Sequence, residues 1–184
     1  MIAYKGFNKN LTCTRGEGTF QYEVGKKYTT ENAQCARTGF HCVEEPIEVL
    51  TWYSGSNAAY CIVEAAGDIH EDGSERISCT EMTIKKEITL EQLGILECLW
   101  IKEHPERINS SHVEKNCGHA HKDGIVVVRG KHPKASGALG STLYLLQEET
   151  GSHEIKHIGV FKIDGKDFKP EVYYTASGKK ARSY

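Results

Sequence analysis

The stretch "TLEQLGILECLWIKEHP", Thr89 to Pro105, divides the chain into two different kinds of sequence. Thr89 and Gln92 have the T-x-x-Q spacing of a capping box, in which each side chain satisfies a backbone N–H of the first helical turn. Leu93, Leu96 and Trp100 recur at helical spacing, and His104-Pro105 stops the run because the residue before a proline is driven out of helical geometry. A helix at about 89–103 is predicted.

Strand-like pieces lie on both sides of that helix. Upstream, "IAYKGF" precedes an Asn-Lys-Asn turn, "TFQYEVG" alternates until Gly25, and "CARTGFHCV" runs into Pro46. Proline suits the first turn of a helix and Glu44 and Glu45 favour its positive end, so a short helix is predicted from about Pro46 to Tyr53. "AAYCIVEAAGDI" reads as a buried strand, and "ERISCTEMTIKKEI" alternates with Ile77, Cys79, Glu81 and Thr83 on one side. Downstream, "GIVVVRG", "GSTLYLL", "HEIKHIGVFKI" and "FKPEVYY" are strand-like and separated by turn chemistry.

The class predicted is α+β. An N-terminal mixed module spans 1–104, a polar surface loop 105–123, a mostly antiparallel β module 124–175, and a flexible basic tail 176–184. No internal repeat is visible in the sequence.

A chain of 184 residues with 39 % hydrophobic side chains buries one good core or two small ones. The formal charge of −2 excludes a generic nucleic-acid coat, so any such contact is local. Seven cysteines, an odd number, and the lack of a signal-peptide pattern after Met1 point to reduced thiols in a cytoplasmic protein. No apolar run reaches the length of a membrane span.

"YKGFNKNLTC", "FQYEVGKKY", "GFHCVEEPIEVLTWY" and "IDGKDFKPEVYY" together resemble a family of phage and prophage proteins without an assigned activity. Relatives carry a repetitive Gly/Ala-rich middle where this chain has only "ASGALGS", which argues against a repeat solenoid here. The resemblance implies a mobile-element setting and an accessory protein that binds a host protein or ribonucleoprotein, such as an inhibitor of a host defence nuclease system.

Two clusters are candidates for chemistry. Lys5-Gly6, Gly39-Phe40-His41, Tyr53 and Glu81 resemble the layout of ADP-ribosyltransferase-like folds, which implies an aromatic platform for a nicotinamide ring, a cation for pyrophosphate and a carboxylate to steady developing positive charge. The second is "HVEKNCGHAHKDG". Cys117, His119 and His121 are zinc-ligand types without the paired spacing of structural zinc sites, so no cofactor is expected, with zinc as the alternative. His112, His119, His121 and Lys122 also supply the acid, base and cation that RNA cleavage through the 2′-OH needs, with Arg129, Lys131, His132 and Lys134 as phosphate contacts.

The residues therefore predict a binding module, with an RNA- or NAD-directed enzyme as the alternative. Phe40, Trp52, Tyr53 and the front-half cysteines are expected to be spent on core packing, with His41 at the rim.

Overall fold

A ring of antiparallel strands forms the N-terminal unit, Met1–Thr89, of the computed structural model, which describes residues 1–15, 18–73, 75–108 and 110–181. Its elements are β1 (Ile2–Asn8), β2 (Thr12–Cys13), β3 (Phe20–Gln21), β4 (Lys27–Thr29), β5 (Phe40–Val43), a 3-10 turn (Pro46–Glu48) leading directly into α1 (Val49–Trp52), then β6 (Ala58–Glu71) and β7 (Arg76–Ile88). The sheet order is β4-β7-β5-β1-β6, and a further β6–β7 pairing closes β1, β6, β7 and β5 on one another. Ala3, Phe7, Val63, Ala65, Cys79, Met82 and Ile84 fill the inside and are fully buried. Each large side chain so buried contributes about 1.5–3 kcal/mol.

The ring is not evenly sewn. β1 and β6 share seven register pairs, from Ile2↔Glu64 to Asn8↔Ala58, whereas β1 and β5 share only Tyr4↔Val43. Beyond that pair the two strands part, and the Lys5 ammonium reaches across to the His41 carbonyl at 2.6 Å. A side chain thus satisfies an acceptor that ladder bonding leaves open.

A shift of register in β6 between Ala66 and Ile69 corrects the expected face of β7. Gly67, at φ +72°, makes the bulge, and the Asp68 N–H bonds to Thr80 Oγ1 at 2.8 Å. The inward phase therefore passes from Ile77 and Cys79 to Met82 and Ile84, leaving Glu81 and Thr83 outside the core.

The second unit, Leu90–Tyr184, opens with α2 (Leu90–Glu103), the helix read from the sequence. Leu93, Cys98, Trp100 and Ile101 are buried on it. Gly94 is required where it stands: a Cβ there would lie 2.5 Å from the ring of the fully buried Tyr144. The Tyr144 hydroxyl donates to the Glu91 carbonyl at 2.7 Å. The helix ends with His104 stacked on Trp100 at 4.7 Å and 30°.

After the helix come β8 (Val113–Ala120), β9 (Ile125–Gly137), β10 (Thr142–Glu148), β11 (Ile155–Lys162) and β12 (Tyr174–Thr175). The α+β class holds, but the stretch 105–123 is not a loop throughout, because β8 lies within it. Antiparallel pairing joins β10 to β11 and β9 to β12, while β8–β9 and β9–β10 are parallel.

Parallel neighbours joined by connections this short require the chain to wind around itself. Gly124 N–H bonds to the His121 carbonyl, and seventeen residues later Ser141 N–H bonds to that of Ala138. The same offset separates Ile125 from Thr142 and Cys117 from Lys134 across the ladders. Asn116, at φ +64°, and Gly130 turn the two corners against each other. A wound segment is therefore present although the sequence shows no repeat, because the turns and apolar positions recur while the residue identities do not.

Beyond β12 the chain is held as far as it is described. Thr175 N–H bonds to the Lys179 carbonyl at 2.9 Å and Ala181 N–H to that of Tyr173 at 2.8 Å. The tail expected to be flexible is thus hydrogen-bonded through Ala181, and residues 182–184 lie outside the described residues. The "IDGKDFKPEVYY" motif is a structural turn: the Asp164 carboxylate accepts from the N–H groups of Lys166 at 2.7 Å and Phe168 at 3.2 Å, and these bonds hold its pKa below the usual range.

Candidate functional site

Where β1 and β5 separate, a cleft of about 430 Å³ opens in the N-terminal unit. Its walls come from β1, β5, the residues Cys13, Arg15, Gly18, Phe20 and Tyr22, the end of α1 and the start of β7. Lys5, His41 and Tyr53, singled out from the sequence, meet here. Arg15, Arg37, Trp52 and Arg76 join them, and none of these four was identified as a ligand contact from spacing alone.

The floor is apolar except for one charge. Lys5 is 7 % exposed, and its ammonium lies 5.4 Å from the ring centre of Phe7 and 5.6 Å from that of Tyr22. These ring faces and the His41 carbonyl compensate part of its desolvation. An ammonium has three protons to donate, and no carboxylate among the described residues pairs with this one. Phe20, Tyr22, Tyr28 and Phe40 pack edge to face beside it, with centroid distances from 4.7 to 6.3 Å.

Tyr53 reaches the cleft because Gly6 has no side chain; a Cβ on Gly6 would stand 2.9 Å from the Tyr53 Cβ. Its hydroxyl donates to Cys13 Sγ at 3.1 Å, and burial first, then that bond, push its pKa up to about 12. His41 accepts the Ala36 N–H at Nε2, 3.0 Å away, so the ring proton is on Nδ1. Burial, then the Lys5 charge, hold the His41 pKa below its ordinary value, and the ring is neutral at pH 7.

The rim is cationic. Two guanidinium groups stand near the Trp52 ring, Arg15 at 6.0 Å and Arg76 at 5.4 Å from its centre, and Arg15 also stands 5.5 Å over Tyr53. The aromatic faces restrain these forks, which reduces the entropy lost when they bind an anion. Arg76 is 3.9 Å from Asp72, and its Nε is buried without a hydrogen-bond partner among the described residues. Among the described lining residues there is no carboxylate. The expectation that Trp52 and Tyr53 are spent on core packing is thereby corrected: both are half-exposed and line the cleft, while Phe40 and Tyr22 do both jobs.

Glu81 is not among the residues lining the cleft. It pairs with Lys27 at 2.8 Å on the outside of the sheet, its side chain against Gly67. The register shift in β6 accounts for this, and the ADP-ribosyltransferase-like layout lacks its acid at that position.

In the second unit the histidines divide. His119 and His121 meet, ring centres 5.7 Å apart, and His119 Nδ1 lies 2.9 Å from the buried Ser136 hydroxyl and 3.8 Å from Glu171 Oε2. Ser136 and Glu171 address the same ring nitrogen, which is not the arrangement of a nucleophilic triad, where base and orienting acid use opposite nitrogens. His112 precedes the other end of β8, beyond the corner at Asn116. Lys122 is exposed in the turn after β8, Lys131 is exposed on β9, and Lys134 stands 5.7 Å over the Tyr173 ring.

Arg129, expected to be a phosphate contact, is 3 % exposed and committed to the fold. Its Nε bonds to Glu148 at 2.7 Å and its Nη2 to the carbonyls of Pro105 at 2.5 Å and His153 at 2.9 Å. Cys117 is exposed, and among the described residues no three His, Cys, Asp or Glu side chains are placed to share a metal ion. No helix among them is long and apolar enough to cross a membrane.

The fold and the cleft define a β-rich unit with one concave, cation-rimmed site. Residues 1–96 match a family described as a domain of unknown function (DUF7666), which covers just over half of the chain, and the protein belongs to that family. No curated protein and no solved structure matches the chain.

Proposed function

We propose that the protein is a binding module whose N-terminal unit captures an anionic ligand carrying a planar ring, of the nucleotide class. The carrying observation is the convergence of Lys5, Arg15, Arg37 and Arg76 with aromatic walls in one cleft that no described carboxylate lines. Guanidinium forks match phosphate oxygens, and aromatic walls accept a base. With Glu81 outside, the cleft favours capture over ribosyl transfer. In the phage setting that the sequence resemblance implies, such capture would act against host defence by occupying a ligand or a ribonucleoprotein end without turnover.

A thermal-shift series tests this with nucleoside mono-, di- and triphosphates, NAD, and uncharged sugars as controls. Stabilisation by nucleotides that is lost in Arg15→Ala/Arg76→Ala supports the reading. Nucleotides that leave the melting temperature of the intact protein unchanged at millimolar concentration overturn it.

A second reading, RNA cleavage, draws on the His119–His121 contact alone. Cleavage of a labelled RNA that persists in chelator and is lost in His119→Ala/His121→Ala would support it; absence of cleavage by the intact protein would contradict it.

A further inference from the structure

Resting on the nucleotide reading of the cleft, the direction in which such a ligand would enter follows from how charge and burial are distributed between its floor and its rim. Two poses compete. Either the phosphate descends to Lys5 and the base stacks at the rim, or the base descends and the phosphate stays outside.

Trp52, the largest ring at the rim, already has two cations near it, Arg15 at 6.0 Å and Arg76 at 5.4 Å from its centre, so a base stacking there would compete with a guanidinium. What the rim offers is three guanidinium groups in contact with solvent. A phosphate dianion there keeps part of its hydration and gains bidentate partners.

The floor offers the reverse. Tyr22 and Phe40 are 5 % and 9 % exposed, Phe20 is 46 % exposed above them, and the charged donor is the Lys5 ammonium, with one proton on the His41 carbonyl. Taking a phosphate to that depth would cost its whole hydration shell for a single cation. A neutral heterocycle loses far less, and its ring oxygen or nitrogen acceptors match the remaining Lys5 protons. A cleft of about 430 Å³ is near the small end for ligand pockets, which fits one nucleotide better than a polymer.

We infer that the cleft takes a single nucleotide base-first, with an acceptor atom of the base on Lys5 Nζ and the base laid against the Phe20, Tyr22 and Phe40 cluster, and with the phosphate held at the rim by Arg15, Arg37 and Arg76. Lys5 is then the residue that selects the base, and the arginines select the phosphate.

The direction can be read with the unaltered full-length protein. The four nucleoside monophosphates are immobilised on resin through the phosphate or through the base. Retention on a phosphate-linked resin and none on the base-linked one is expected. Retention on base-linked resin with none on the phosphate-linked form overturns the inference while leaving the nucleotide reading intact. Failure of every free nucleotide to compete for the protein or to bind in calorimetry overturns both.

Variants add a second reading of the same point. Lys5→Met is expected to bring a nucleotide's affinity down about tenfold or more, to that of ribose 5-phosphate, while pyrophosphate binding changes less than twofold. An equal loss for pyrophosphate and nucleotide places the phosphate on Lys5 and contradicts the base-first pose. Should Lys5→Met fail to fold, the resin comparison still decides.

Discussion

The protein has two tryptophans, one in each unit, and each has a guanidinium over its ring. Trp100 is 8 % exposed at the end of α2, with His104 stacked on it and Arg107 5.6 Å over its ring. Trp52 is half-exposed, with Arg15 and Arg76 over its ring, beside an open cleft. The local chemistry is alike and the consequence differs. Around Trp100, His104 and Arg107 complete a helix end; around Trp52 the guanidinium groups border an open hollow. Residue type selects the contact, and the splay of β1 from β5 turns the contact into a site.

The sharpest contrast between the units lies in their arginines. Arg129→Ala leaves Glu148 buried without its partner and should destabilise the second unit by about 3–5 kcal/mol in denaturant unfolding, with nucleotide affinity unchanged in the fraction that folds. Loss of affinity with little loss of stability would contradict the structural role given to Arg129. In the cleft the pattern should invert. Arg15→Ala/Arg76→Ala should weaken a bound nucleotide by about a hundredfold, since each charge-assisted bond contributes about 1.5–3 kcal/mol, and shift the melting temperature little. Arg107→Ala is the control from the other tryptophan and should leave affinity unchanged.

A smaller effect concerns His41. Its folded pKa lies below the ordinary 6.5, so as the pH falls the unfolded chain binds the proton first. Stability is therefore full above the ordinary value and is lost as the pH descends from it toward the folded value. Thermal melts between about pH 7 and about pH 5 should show a shallower fall for His41→Gln than for the unaltered protein. Equal slopes would remove His41 from the balance.

The smallest effect is chemical. Cys61 is buried with its pKa pushed up to about 12 by burial, and burial raises that of Cys98 as well, whereas Cys117 is exposed. Brief alkylation at neutral pH should mark Cys117 first and spare Cys61 and Cys98 in peptide mapping. Early labelling of Cys61 or Cys98 would show that the cores open readily.

Much of this was legible in the residues. The Thr89–Pro105 helix is strongly periodic, and the resemblance to the ADP-ribosyltransferase-like layout draws Lys5, Gly6, His41 and Tyr53 together. Arg15, Arg37 and Arg76 are not drawn in, because they converge only through the ring closure of four strands, and no local pattern in the sequence encodes that closure. Glu81 lies on the other face because the core-facing positions of β7 pass from Ile77 and Cys79 to Met82 and Ile84, and simple alternation carries no mark of such a change of phase. The winding of β8 through β10 escaped because its repeat lies in turn positions such as Gly124 and Ser141, where different small residues serve the same geometry.

The two tryptophans also supply the most direct test. In a nitrogen-15 spectrum of the full chain they give two indole N–H signals, assigned by Trp52→Phe and Trp100→Phe. On titration with a nucleoside monophosphate the Trp52 signal should move and saturate while that of Trp100 stays in place. Movement of the Trp100 signal alone, or of neither at millimolar nucleotide, would contradict a nucleotide site at the β1–β5 cleft.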